Sequence, residues 1–190
     1  FILSPPFSGS TLLTEIISTS KNVSCNNNIG LREGQHLPKA HNLLFTKNRW
    51  DPNKEIDWNR IKKIWSKYWD KSKSILLEKS PPNICRANNI DKVFSNSEYI
   101  CLIRDPYAQI QSNIRRYNTD IEEATEKYIS YLKFQKNNIE TLKNTLVISY
   151  EELADNPLKT KEKISSFLPL LEGINIDLKF NAHNMHQKKQ

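Results

Sequence analysis

Apolar residues along this chain fall alternately into short continuous runs and into helical stripes. The runs are 1–3 (FIL), 74–77 (SILL), 98–103 (EYICLI) and 145–149 (TLVIS), each bounded by polar or turn residues. Between them the spacing changes to three and four. Leu12, Leu13, Ile16 and Ile17 predict a helix over about 10–20, and Trp58, Ile61, Ile64, Trp65, Tyr68 and Trp69 predict an amphipathic helix with a broad aromatic face. That aromatic stripe reads as core packing. Pro81 and Pro82 suit the start of a helix reaching about Phe94. Further helices are predicted from Pro106 to about Tyr117, over 121–143, and after Pro157. Leu31 to Phe45 has weak helical periodicity broken by Pro38, and 21–30, rich in Asn and Ser, reads as a surface loop. Runs apolar on both faces and separated by helices predict an α/β fold in three layers. At its centre lies a parallel sheet of about four to five strands flanked by helices. Without repeats or a low-complexity linker, residues 1–190 read as a single domain with a polar tail over 177–190.

Composition narrows the possibilities. A hydrophobic share of 37 % and a charged share of 26 % suit a soluble globular domain, and no apolar run approaches the roughly 18 residues of a membrane span. No membrane segment or signal peptide is expected within this stretch. The only methionine is Met185, so the chain reads as trimmed, with any leader or anchor lying outside it. Three cysteines (Cys25, Cys85, Cys101) without a CxxC spacing argue against a disulfide framework or a zinc site, and point to a reducing, cytoplasmic compartment. The net charge of +7 calls for an anionic ligand. Nucleic acid is not the expected one, because the lysines are dispersed and no nucleic-acid motif is present.

Chemistry concentrates where the apolar runs end. After the first run comes Ser8-Gly9-Ser10-Thr11 and at once a helix: a loop of backbone amides and hydroxyls facing a helix N-terminus, suited to an anion such as phosphate. The same residues also read as an ordinary turn with a hydroxyl cap. No lysine follows Gly9 and no first glycine precedes it, which disfavours ATP or GTP chemistry. Glu78–Lys79–Ser80 ends the second run, Arg104 the third and Tyr150 the fourth. In an open parallel sheet ligands bind beyond the carboxyl ends of the strands, so all four clusters belong to one edge. Ser112 and Arg116 stand four apart on one helical face, and with Arg104 they suit a tetrahedral anion. The alternative for Arg104-Asp105-Pro106 is a local ion pair at a helix start. Lys79 reads either as a solvated surface residue or as a cation for developing charge. Glu33, His36 and His41 are candidate bases, Glu33 also reading as a solvated helix residue.

The loop resembles the 5′-phosphosulfate loop of sulfotransferases, P-(R/K)-S-G-(T/S)-T-x-L. The match lies at Pro6, Ser8, Gly9, Ser10, Thr11 and Leu13, and it departs at Phe7, where the family carries a cation. R-x-P with a serine eight residues after the arginine resembles the family's 3′-phosphate motif. E-K-S-P around Lys79 is similar to its K-(S/T)-P element, and Tyr150-Glu151-Glu152-Leu153 to its Y-E-x-L element. Glu33 stands five residues before Pro38, as the catalytic glutamate does in the tyrosylprotein branch. The resemblance implies a P-loop-like fold and transfer of a sulfuryl group from 3′-phosphoadenylyl sulfate (PAPS) to a hydroxyl or amine, giving 3′,5′-ADP, without a metal. It places Phe7, Ser8, Gly9, Ser10, Thr11, Arg104, Ser112, Arg116 and Tyr150 at the nucleotide. Glu33 becomes the base, and Lys79 lies at the bridging oxygen. Lys79, and after it Arg32, are the candidates to replace the cation missing at Phe7. The acceptor stays open among carbohydrate, protein tyrosine, lipid and small molecule. The rival readings are a P-loop nucleotide or small-molecule kinase and a non-catalytic nucleotide-binding homologue.

Overall fold

The structure is a computed structural model that describes residues 1–26 and 31–177. Strand β1 (Ile2–Leu3) leads to helix α1 (Ser10–Ser18), strand β2 (Val23–Cys25) and the short helix α2 (His41–Leu44). Helix α3 (Trp58–Trp65), strand β3 (Ile75–Leu77), helix α4 (Ala87–Asp91) and strand β4 (Tyr99–Ile103) follow. Helices α5 (Pro106–Tyr117) and α6 (Ile121–Thr141), strand β5 (Thr145–Ser149), and helices α7 (Tyr150–Asp155) and α8 (Pro157–Phe167) complete the order. All strand pairings are parallel. One sheet has the order β1-β4-β5, and β2 and β3 form a second. The two meet where the Ile2 amide donates to the Glu78 carbonyl at 3.0 Å, just past the end of β3.

Alternation along the strands builds the layers. Ile2, Ile100, Leu102 and Ile148 pack on one face with Leu13 and Ile17 of α1 and Ile164 of α8. Leu3, Tyr99 and Cys101 pack on the other face with Ile84 and Leu142. Helix α6 covers that second face, and its buried Gln135 donates to the carbonyls of Leu3 (2.9 Å) and Leu102 (3.3 Å). A side-chain amide thereby donates to two backbone carbonyls of neighbouring strands β1 and β4. The aromatic stripe forms a core of its own: Trp58, Ile61, Ile64, Trp65 and Trp69 are buried with Leu37 and Phe94, while Tyr68 stays exposed. The Cys101 thiol is fully buried, and burial pushes it up to about 12.

Two expectations are corrected. The segment read as a loop over 21–30 contains strand β2, paired through Val23↔Ile75 and Cys25↔Leu77; residues 27–30, like the tail from 178 on, lie outside the described residues. In β2, Val23 and Cys25 are separated by Ser24 and flanked by Asn, so no continuous apolar run marks the strand. The helix expected from Pro81 to about Phe94 is instead a 3₁₀ turn (Pro81–Cys85) followed by α4. The break is at Arg86 (φ −139°, ψ 21°), whose buried guanidinium donates to the carbonyls of Pro82 and Arg49 rather than continuing the helix outward. Among the described residues no helix is long and apolar enough to cross a membrane.

Candidate active site

Because every strand is parallel, the residues following β1, β3, β4 and β5 emerge at one edge. The loop after β1 is shaped by two left-handed residues, Phe7 (φ 65°) and Gly9 (φ 86°). Gly9 is also a packing requirement, since a Cβ there would lie 2.3 Å from Cδ2 of Tyr150. Gly9 is the N-cap of α1 and brings no side-chain cap, so the capping residue offers the first-turn amides no acceptor of its own. Ser8 and Ser10 are buried, and Thr11 is half-buried. Helix α5 holds this loop through the buried Gln109, which accepts from the Ser8 hydroxyl (3.3 Å) and donates to the Pro6 carbonyl (3.1 Å).

Arg104 does not form the local pair considered for Arg104-Asp105-Pro106. Asp105 caps α5 by accepting from the Ala108 amide, and Arg104 Nη1 donates to the Phe7 carbonyl at 2.7 Å. Its guanidinium lies over the Tyr150 ring, 4.6 Å from the centroid. The buried Nε of Arg104 has no protein partner, which leaves a cationic donor beside the amide loop. Phe7 itself turns its ring to Tyr117, centroids 5.6 Å apart. The loop position that lacks a cationic side chain is thus contacted by a guanidinium from the next strand. Arg32, the second candidate replacement, is committed elsewhere: it pairs with Glu15 at 2.9 Å and donates to Cys25 Sγ at 3.8 Å. Ser112 donates to the Ala108 carbonyl of its own helix, and the exposed Arg116 lies one turn further along α5.

Glu33 and Lys79 are brought together. Both are buried, at 5 % and 1 % exposure, so neither is the solvated surface residue that each also suggested. Lys79 Nζ lies 2.9 Å from Glu33 Oε1. The other oxygen, Oε2, accepts from the Gln35 side-chain amide and stands 3.3 Å from His36 Nε2. Glu33 is extended (φ −99°, ψ 123°) and precedes a 3₁₀ turn (Gly34–His36) rather than sitting in a helix. Residues flanking Lys79 hold this turn in place. Glu78 accepts from the Gly34 amide (3.0 Å), and the Ser80 hydroxyl accepts from the Gln35 amide (3.1 Å). Trp65 Nε1 completes the anchorage by donating to the Gly34 carbonyl. Burial raises the Glu78 carboxyl above its ordinary range, with hydrogen bonds from Ser80 and Gly34 opposing the shift.

These features sit in a fold shared with known proteins. The profile of the sulfotransferase family matches residues 1–171. The chain belongs to the sulfotransferase family. It is 24 % identical over 197 residues to "Protein-tyrosine sulfotransferase A" of Caenorhabditis elegans, covering 90 % of this chain and 49 % of the worm protein. A relative from Caenorhabditis briggsae is 25 % identical over 195 residues, 90 % of this chain and 65 % of its own. The chain therefore spans about half to two thirds of the length of these curated relatives. Among solved structures it resembles the sulfotransferase domain from the curacin biosynthetic pathway, with a TM-score of 0.60 and 20 % identity over 89 % of this chain and 72 % of that one. It also resembles a sulfotransferase from Alicyclobacillus acidocaldarius, with a TM-score of 0.57 and 12 % identity over 95 % and 85 %.

Set in the family fold, Ser8–Gly9–Ser10–Thr11, Arg104 and Tyr150 make one contact group, and Glu33 with Lys79 a second. Ser112 and Arg116 share a face of α5, one turn apart. Sequence reasoning missed Gln109, and it placed Glu78 and Ser80 in the cluster around Lys79 without giving either a role. Gln109 was within reach, because it lies three residues before Ser112 and seven before Arg116 on the same helical face. Glu78 and Ser80 flank Lys79, but nothing in their spacing announces that they hold a turn more than forty residues away.

Proposed function

We propose that this chain is a PAPS-dependent sulfotransferase domain, which passes a sulfuryl group to an acceptor hydroxyl or amine and releases 3′,5′-ADP. The observation that carries this reading is the buried Lys79–Glu33 pair together with an amide loop whose helix N-terminus has no side-chain cap, Lys79 and the loop both following the ends of parallel-paired strands. The residues suit the donor. First-turn amides without a side-chain cap and the unpartnered Arg104 Nε favour an anionic group at the loop, while Ser112 and Arg116 offer a hydroxyl and a cation further along α5. The donor supplies the activated sulfuryl group.

In the ground state the two buried charges compensate each other. When Glu33 takes the acceptor's proton, Lys79 is left as an uncompensated buried cation. Uncompensated buried charge is costly, so this cation interacts most strongly when negative charge builds on the leaving oxygen. Proton uptake by one residue thus switches on the electrostatic help of the other. The names of the nematode relatives make a tyrosyl hydroxyl the first acceptor to test.

Calorimetry should find 3′,5′-ADP bound much more tightly than 5′-AMP or Mg·ATP. Losing one charged phosphate contact costs about 1.5–3 kcal/mol. Glu33→Gln should lower kcat by about 10²–10⁴ with nucleotide affinity nearly unchanged. A preference for Mg·ATP would favour the kinase reading. Tight 3′,5′-ADP binding without transfer to any tyrosyl, sugar or phenol acceptor would favour a non-catalytic binder.

A further inference from the structure

Glu33 poses a problem that the transfer step itself does not solve. After one turnover its carboxyl is protonated, buried, and next to a buried lysine that has lost its counter-charge. The site cannot repeat the reaction until that proton leaves. Lys79 is no exit, because its side chain is 1 % exposed and does not reach water. The Gln35 amide on Oε2 has no basic atom.

His36 differs on both counts. Its Nε2 stands 3.3 Å from Glu33 Oε2, and its side chain is 34 % exposed, so one ring nitrogen faces the buried carboxyl from a residue that reaches water. The ring is held in place by aromatic neighbours, His41 at 5.8 Å and Phe45 at 4.6 Å between centroids. The Arg49 guanidinium covers the same Phe45 ring at 4.6 Å. Among the described residues, the titratable and charged groups that these contacts place around His36 are Glu33, Lys79 behind it, His41 and, across Phe45, Arg49.

We infer that His36 is a proton relay that resets Glu33 between turnovers. The inference rests on the sulfotransfer reading. As the acceptor oxygen bonds to sulfur, its proton goes to Glu33, the bridging oxygen–sulfur bond breaks, and the electron pair leaves on 3′,5′-ADP. The proton then passes from Glu33 to His36 Nε2, the imidazolium gives up its Nδ1 proton to water or buffer, and proton exchange of the half-exposed ring with water moves the remaining proton from Nε2 to Nδ1, leaving Nε2 bare for the next turnover. No electrons change hands and no further reactant is needed. Imidazole suits this step because it exchanges protons near neutral pH and has a nitrogen for each side.

The test compares first and later turnovers in wild type, His36→Phe and His36→Gln. The donor is PAPS, and the acceptor probes are a tyrosine peptide, a hexosamine oligosaccharide and p-nitrophenol. Phe keeps the ring against His41 and Phe45, and Gln keeps a polar group. Both variants should retain the rate of the first turnover and lose about tenfold in steady-state kcat, and free imidazole in the buffer should restore it. A merely structural role would not respond to imidazole. Unchanged steady-state turnover in the variants, or a first turnover slowed equally with no imidazole response, overturns the relay while leaving sulfotransfer in place. A wild type that transfers to none of the three probes overturns both readings.

Discussion

Gly9 and the Glu33–Lys79 pair concentrate the energetic demands of the site in three residues. At Gly9, alanine would meet both a strained backbone at φ 86° and the Tyr150 ring at 2.3 Å. Moving the ring would also disturb its stack with the Arg104 guanidinium, 4.6 Å from the ring centroid. Gly9→Ala should therefore destabilise the protein by about 1–3 kcal/mol and weaken 3′,5′-ADP binding, measured by thermal denaturation and calorimetry. Tyr150→Ala in the same chain should restore part of the stability, since the φ strain persists but the clash is removed. At the buried pair, removing one charge leaves the other uncompensated. Glu33→Gln or Lys79→Met alone should each cost about 3–5 kcal/mol in urea denaturation. The double variant should cost clearly less than the sum of the two, because no lone charge is left inside.

The site is a junction of elements rather than a property of one. Strand β1 delivers the amide loop, β4 delivers Arg104, and α5 latches the loop through Gln109. Gln109→Leu keeps the volume but removes both hydrogen bonds, freeing the Ser8 hydroxyl and the Pro6 carbonyl. The expected result is a loss of about 1–3 kcal/mol of stability and weaker 3′,5′-ADP binding. Unchanged nucleotide affinity would show that the loop keeps its shape without α5. A second junction joins the turn carrying Glu33 to the residues that flank Lys79. Glu78 and Ser80 bind consecutive amides of that turn, so Glu33 and Lys79 are placed by one strand end.

For the whole molecule, Glu78 makes stability depend on pH. Its carboxyl is fully buried and burial raises its pKa, so the folded state holds a proton that the unfolded chain releases near the ordinary carboxylate range. This contribution is fully present below the unfolded value and is lost as pH rises through the folded one. Chemical denaturation of wild type should show stability falling over that interval, with a shallower slope in Glu78→Gln. Equal slopes would mean that Glu78 titrates alike in both states. Beyond stability, the sequence by itself determined the α/β class, the four longer apolar runs and the edge at which chemistry collects. Period-2 and period-3.6 patterns are local, and parallel strands separated by helices leave one edge for loops. It also marked Gly9, Arg104 and Tyr150, whose residue types are demanded by the loop and strand ends they occupy. It misread strand β2 as part of a loop, because its three residues pair only through β3, and it ran one helix through Arg86, where side-chain bonds to the Pro82 and Arg49 carbonyls accompany the break. It proposed Glu33 and Lys79 as separate residues with surface alternatives for each. Only the tertiary structure made them one buried pair at 2.9 Å, because the meeting of residues 46 apart depends on which turn packs on which strand end, and no local pattern encodes that.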